Sequence, residues 1–233
     1  MLPDTARERG VCSGHESCGG HRVTDQATSD PDARPLDRLR AGNARFLDRI
    51  AESDDPDAAA AALAAADPYA IVLGCSDSRV PPELVFDESV GRLFVICVAS
   101  NVAGNEEIGT IEYAVARWGC PLVVVLGHTQ CGGVAAAMER LPAGAEPTPD
   151  ATGSTHLGML LGSIRANLGW TGHETVNDPW LSAVRMNVRR TIEQILLWSV
   201  PLRSRVGEGR LAIAGAVYAV ETGEVEFLEV GRS

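Results

Sequence analysis

Three uninterrupted apolar runs constrain this chain most: "YAIVLGC" (69–75), "RLFVICV" (92–98) and "PLVVVLG" (121–127). Runs without polar alternation mark strands buried on both faces, the kind that helices cover on either side of a parallel sheet. Between the second and third runs, Ile108, Ile111, Val115 and Trp118 fall on one helical face. Strand and helix alternating at this interval predict an α/β fold with parallel strands. Further on, Asp178 caps and Pro179 opens a helix running to about Val200. "LAIAGAVYAV" and "EVEFLEV", split by "ETG", read as a closing strand and its hairpin partner. The expected architecture is three-layer: a central, mostly parallel sheet of order 2-1-3-4, with a further closing edge strand, flanked by helices.

Ahead of the first strand lie two different segments. Residues 1–33 are polar, rich in Gly, Asp and Ser and without period, and read as a disordered or loosely attached tail. From there Leu36, Leu39, Phe46, Leu47 and Ile50 share a helical face, an N-terminal helical arm, and an Ala-rich helix follows until Pro68. The folded domain is accordingly expected over 34–233, with "LPAGAEPTPDATGS" (141–154) a surface loop inside it. A formal charge of −11 argues against nucleic acid or anionic lipid as partner. The chain has no Lys, which excludes a Lys Schiff base and a P-loop. The opening "MLPDTARERG" offers no secretory signal, and no run of about 18 apolar residues offers a membrane span. A reducing cytoplasm is the expected location, where six Cys suggest metal or catalysis before disulfides.

In an open parallel sheet, chemistry gathers outside the carboxyl ends of the strands, at the switch point. Cys75 ends the first apolar run, and "GHTQCGG" (127–133) puts His128 and Cys131 after the third. If strands one and three are neighbours, Cys75 faces His128 and Cys131 across the crevice. Three donors of mixed sulfur and nitrogen type, with a fourth position open, describe a catalytic zinc site better than a closed structural one. "CSDSRV" (75–80) adds Asp77 and Arg79, spaced to project together, with Arg offering a planar fork for a carboxylate. An Asp so placed is able to bind the metal directly, as a fourth ligand in a closed state, or to accept a proton from metal-bound water. "GHESCGG" (14–20) echoes the second motif, and Cys12, His15, Cys18 and His21 fall at steps of three. No strand precedes them, and Gly14, Gly19 and Gly20 oppose a helix that would align the donors, so specific metal binding is not expected there.

"CSDSRV", "GHTQCGG", "GTIEYAV" (109–115), "PLVVVLGH" (121–128) and "GAVY" with "ETGEVEFL" (215–228) resemble the β-class carbonic anhydrases, from about "GNARF" (42–46) to "VEFL" (225–228). The resemblance implies reversible hydration of CO2 to bicarbonate and a proton by zinc-bound hydroxide. One Zn2+ per subunit is implied on Cys75, His128 and Cys131, with Asp77 and Arg79 as the assisting dyad and assembly as a homodimer or homotetramer. It also implies that Gly132 shapes the substrate pocket through its backbone. Val80, an apolar neighbour, is expected to help hold CO2. If Asp77 can leave Arg79 for the metal, activity is expected to be low at neutral pH and to rise on the alkaline side.

The likeness breaks after "GRLFVI", where the family commonly reads "RNAGN" and this chain has "CVASN" (97–101). Cys97 replaces a basic residue that in some members helps form a second bicarbonate site, so that regulation is not expected. Ser100 stands where a small Gly or Ala is usual, which alters the pocket edge. Cys97 is read as a buried strand-end residue rather than a redox-sensitive thiol, and Cys120 as packing only. His156 and His173 are read as surface or capping residues, and Tyr218 as packed in the closing sheet. Alternatives to CO2 hydration are hydrolysis of carbonyl sulfide or carbon disulfide on the same zinc set, and a catalytically silent zinc-binding protein.

Overall fold

The computed structural model describes residues 34–56, 59–60, 63, 66–140, 155–168 and 178–228. The tail with Cys12, His15, Cys18 and His21, the loop 141–154, and His173 lie outside the described residues, as does most of the expected Ala-rich helix. The described residues form two units, divided between Asp54 and Asp55.

In the first unit, α1 (Pro35–Ala51) opens on a proline, the residue whose missing N–H and fixed φ cost least at a helix start. Asp37 in its first turn pairs with Arg34 at 2.7 Å and with Arg40 at 3.2 Å. No residue of α1 is buried; its apolar stripe of Leu36, Leu39, Phe46 and Leu47 is exposed.

The second unit is built on five strands: β1 (Ala70–Cys75), β2 (Leu93–Val98), β3 (Leu122–His128), β4 (Ala212–Tyr218) and β5 (Val225–Leu228). Their order is β2-β1-β3-β4-β5, the expected one. The first four are mutually parallel and β5 returns antiparallel to β4. Successive side chains alternate between two apolar clusters. Ile71, Leu73, Val123 and Val125 face one, and Ala70, Val72, Val124 and Leu126 face the other. Every residue of β1 is buried, which is why its sequence shows no polar alternation.

Among the described residues, these helices accompany the sheet: α2 (Pro82–Val85), α3 (Asn105–Trp118), α4 (Gly132–Arg140), α5 (Thr155–Leu168), α6 (Pro179–Trp198) and α7 (Val200–Gly207). The face predicted for α3 is the buried one, with Ile108, Ile111 and Val115 inside and Trp118 packed against Phe94 at 5.2 Å. Asp178 caps α6 as predicted, its carboxylate accepting from the Leu181 amide at 3.0 Å. The helix stops at Trp198, however. Ser199 takes an extended backbone, caps α7 by accepting from Leu202 N, and lets Pro201 sit in the first turn of a new helix. Pro201 has no N–H to give the Leu197 carbonyl and its ring would clash with that carbonyl, so the long helix divides there.

Glycines let α6 lie close on the strands. A Cβ built on Gly127 of β3 would come within 2.7 Å of Val188, and one on Gly215 of β4 within 2.8 Å of the same side chain. Ala at either position would therefore push α6 away. That approach also brings Asn187 of α6 over the end of β2, where the chain turns through a short 3-10 segment, Ala99–Asn101, with Ser100 and Asn101 at positive φ.

Candidate metal centre

Parallel pairing sets β1 beside β3, so their carboxyl ends open into one crevice. Cys75 is the last residue of β1, His128 the last of β3, and Cys131 immediately precedes α4. The ligand atoms of the three lie within 4.8 Å of one another, and all three residues are buried. His128 Nδ1 meets the Thr129 carbonyl oxygen at 2.8 Å. A carbonyl only accepts, so Nδ1 carries the proton and Nε2 keeps a lone pair. Nε2 is buried and has no hydrogen-bond partner among the described residues. A buried imidazole nitrogen with its lone pair turned toward two thiols fits a cation's ligand set, and two sulfurs with one nitrogen fit zinc.

Electrostatics in the cluster point the same way. The Cys75 hydrogen bond to Cys131, together with burial, pushes the Cys75 thiol up. Cys131 is driven down by that bond from Cys75, and further by His128, Ser100 and the backbone of Val134. The two thiols therefore titrate as a pair, the first ionising more readily than the second. Burial lowers the His128 pKa, but the Cys131 sulfur, the Thr129 carbonyl and the Asp77 charge outweigh it and leave it raised. A divalent cation bound by both sulfurs as thiolates would displace their protons.

Two residues beyond Cys75, Asp77 is gripped by Arg79. Arg79 Nε donates to Oδ1 at 2.9 Å, its terminal nitrogen to Oδ2 at 2.7 Å, and its backbone N to Oδ1 at 3.0 Å. These donors hold the Asp77 carboxyl well below the usual carboxylate range. The same guanidinium donates to Gln130 Oε1 at 3.1 Å and to the Gln130 carbonyl at 3.3 Å. Gln130 Nε2 in turn donates to Glu221 at 2.5 Å, and Thr129 Oγ1 donates to the other oxygen of that carboxylate at 2.7 Å. Glu221, at the β4–β5 turn, is held below its ordinary value by the Thr129 bond first. A chain of four side chains therefore runs Asp77–Arg79–Gln130–Glu221 along the rim. Gln130 and Glu221 were not picked out from sequence. Gln130 sits inside the quoted "GHTQCGG", but Glu221 is 91 residues further on, and only the β3–β4 pairing brings them together.

Val80 is buried in the same apolar cluster as Cys75 and Cys131. Gly132 is exposed at the first turn of α4. Cys97 requires a correction: it is exposed, not buried. It lies on β2, which has a neighbour on one side only, and an apolar run reads alike for edge and central strands. Partial burial of its sulfur and the nearby Glu83 raise its pKa, away from a reactive thiolate. Cys120 is buried and donates to the Pro68 carbonyl at 3.1 Å. His156 is exposed in the first turn of α5. Tyr218 is partly buried at the end of β4, paired with Val225. Ser100, expected only to alter the pocket edge, touches both sulfurs. Its amide donates to Cys75 Sγ at 3.2 Å, and its hydroxyl lies 3.4 Å from Cys131 Sγ.

Residues 70–225 match a family profile described as carbonic anhydrase. The chain is 34% identical over 197 residues to a carbonic anhydrase of Mycolicibacterium smegmatis, an alignment spanning 81% of this chain and 89% of that protein. It is 33% identical over 190 residues to carbonic anhydrase 2 of Mycobacterium tuberculosis, spanning 79% and 87%. Among solved structures it is similar to one of two tetrameric β-carbonic anhydrases from Sordaria macrospora. The TM-score is 0.66 at 24% identity, covering 85% of this chain and 98% of that one.

Proposed function

Because the chain belongs to the carbonic anhydrase family, in its β class, we propose that it catalyses reversible hydration of CO2 to bicarbonate and a proton at a zinc centre formed by Cys75, His128 and Cys131. The observation that carries this reading is the convergence of those three buried donors at adjoining strand ends. A zinc ion held there would supply the Lewis acidity that brings the pKa of water toward about 7.

The chain's own groups do the rest. Cys75 and Cys131, as thiolates, offset the charge of a divalent ion, while the Thr129 carbonyl fixes the His128 ring with Nε2 toward the sulfurs. Asp77 stays ionised on Arg79 and offers acceptor capacity at the mouth of the crevice, where it orients the attacking water and passes its proton outward. Gln130 and Glu221 keep Arg79 from swinging away. The side chain of Val80 gives CO2 a surface that asks for no hydrogen bond. The Gly132 N–H, in the first turn of α4, has no acceptor within its helix and is the donor we assign to bicarbonate.

Stopped-flow CO2 hydration tests the reading, with Cys75→Ser as control. Wild type should accelerate hydration, and the variant should lose zinc and at least about 100-fold in rate. Full activity in Cys75→Ser would remove the proposed centre. We take residues 34–233 as the catalytic domain, acting in the cytoplasm as a homodimer or homotetramer, which light scattering on the purified chain checks. No helix among the described residues is long and apolar enough to cross a membrane.

A further inference from the structure

We propose that Ser100 is a positioning residue of the metal centre, donating to both ligand sulfurs at once and setting their separation and donor strength. The inference rests on the zinc reading above. Ser100 is fully buried, at the turn after β2, and its backbone is left-handed at φ 59° and ψ 29°. A non-glycine residue holds that conformation only when its surroundings over-determine it. Here they do. Asn187 Nδ2 of α6 donates to the Ser100 carbonyl at 2.7 Å, and Asn187 Oδ1 accepts from Asn167 Nδ2 at 2.9 Å. Gln194 Nε2 donates to Asn167 Oδ1 at 2.7 Å. This buried amide chain spans α5 and α6 and ends on the carbonyl of Ser100, the residue whose own N–H donates to Cys75 Sγ.

The hydroxyl is equally confined. It sits over Gly133, where an added Cβ would overlap Ser100 Oγ, and its sulfur neighbour is Cys131. A thiolate bound to a cation accepts and does not donate, so the Ser100 hydroxyl gives its proton to Cys131 Sγ. Such donors to metal-bound thiolates draw charge from the sulfur and fix its direction, and partners of this kind commonly govern metal retention. Ser100 therefore does more than fill the position of a small residue: it couples the two sulfurs through one backbone unit.

The test uses full-length wild type, Ser100→Ala and Ser100→Gly. Three quantities are measured: zinc content, the rate at which a chelator withdraws zinc, and the thiolate-to-metal charge-transfer band after exchange for Co(II). Wild type should carry one zinc per chain, and both variants should release it about 10-fold faster or more. The band should move to lower energy in both, because a hydrogen bond to a thiolate lowers its donor orbital; a hydroxyl that only fills space would leave the band in place. Ser100→Gly keeps the amide contact and relaxes the left-handed backbone, so faster release in it does not come from a damaged fold. Gly133→Ala should speed release when Ser100 is present and add nothing to Ser100→Gly. Variants that match wild type in both release and band overturn the role of Ser100 while leaving the centre intact. Absence of bound zinc in wild type overturns the centre and this proposal together.

Discussion

Cys75, His128 and Cys131 are 7%, 1% and 5% exposed, and strand pairing fixes two of them at adjoining strand ends. The side chains of Asp77 and Arg79, a few ångströms along the same loop, are 20% and 44% exposed and are held by hydrogen bonds to one another and to Gln130. One half of the site is thus set by the fold and is rigid because the sheet is rigid. The other half is set by side chains on the rim, hydrogen-bonded to one another and open to solvent and substrate. The division matches the tasks proposed for each. Holding an ion needs donors that do not move, whereas carrying a proton outward needs a group in touch with water.

The sharpest way to break this contrast is to remove a buried donor. Cys131→Ser should abolish stoichiometric zinc and lower hydration by at least about 100-fold, read by metal analysis and stopped-flow; retained zinc would make the buried half dispensable. On the rim, Arg79→Ala should lower turnover by roughly 100-fold with zinc retained in full. Loss of zinc in that variant would erase the distinction between the halves. Gly127→Ala probes the scaffold under the buried half. Its Cβ meets Val188, and chemical denaturation should show a loss of about 1–3 kcal/mol, whereas the rim variants should denature like wild type. Glu221→Ala should slow turnover about fivefold, the scale of one ordinary hydrogen bond, without changing zinc content. Smallest of all, a chain starting at residue 34 should still carry one zinc. A fall from two to one would place a second metal on Cys12, His15, Cys18 and His21.

The same contrast explains what was legible in the amino-acid sequence. Strands buried on both faces announce themselves as apolar runs, and a residue that closes such a run lies at a strand end, so Cys75 and His128 could be placed without coordinates. Cys131 followed from the short interval after His128. The Asp77–Arg79 pair was readable because it is local. Glu221 was not, since its contact with Gln130 depends on which strand lies beside β3. Ser100 was noticed as a departure, yet its contacts with both sulfurs depend on a left-handed turn held by Asn187, and no local pattern encodes that tertiary restraint. The exposure of Cys97 was misread for a related reason: strand order decides which apolar run becomes the edge.

Zinc K-edge absorption on the purified full-length protein tests the centre most directly. The first shell should contain two sulfurs at about 2.3 Å and an imidazole nitrogen at about 2.0 Å, with one lighter ligand completing four. A bound zinc whose first shell holds only oxygen and nitrogen would contradict the assignment of Cys75 and Cys131, and with it the mechanism built on them.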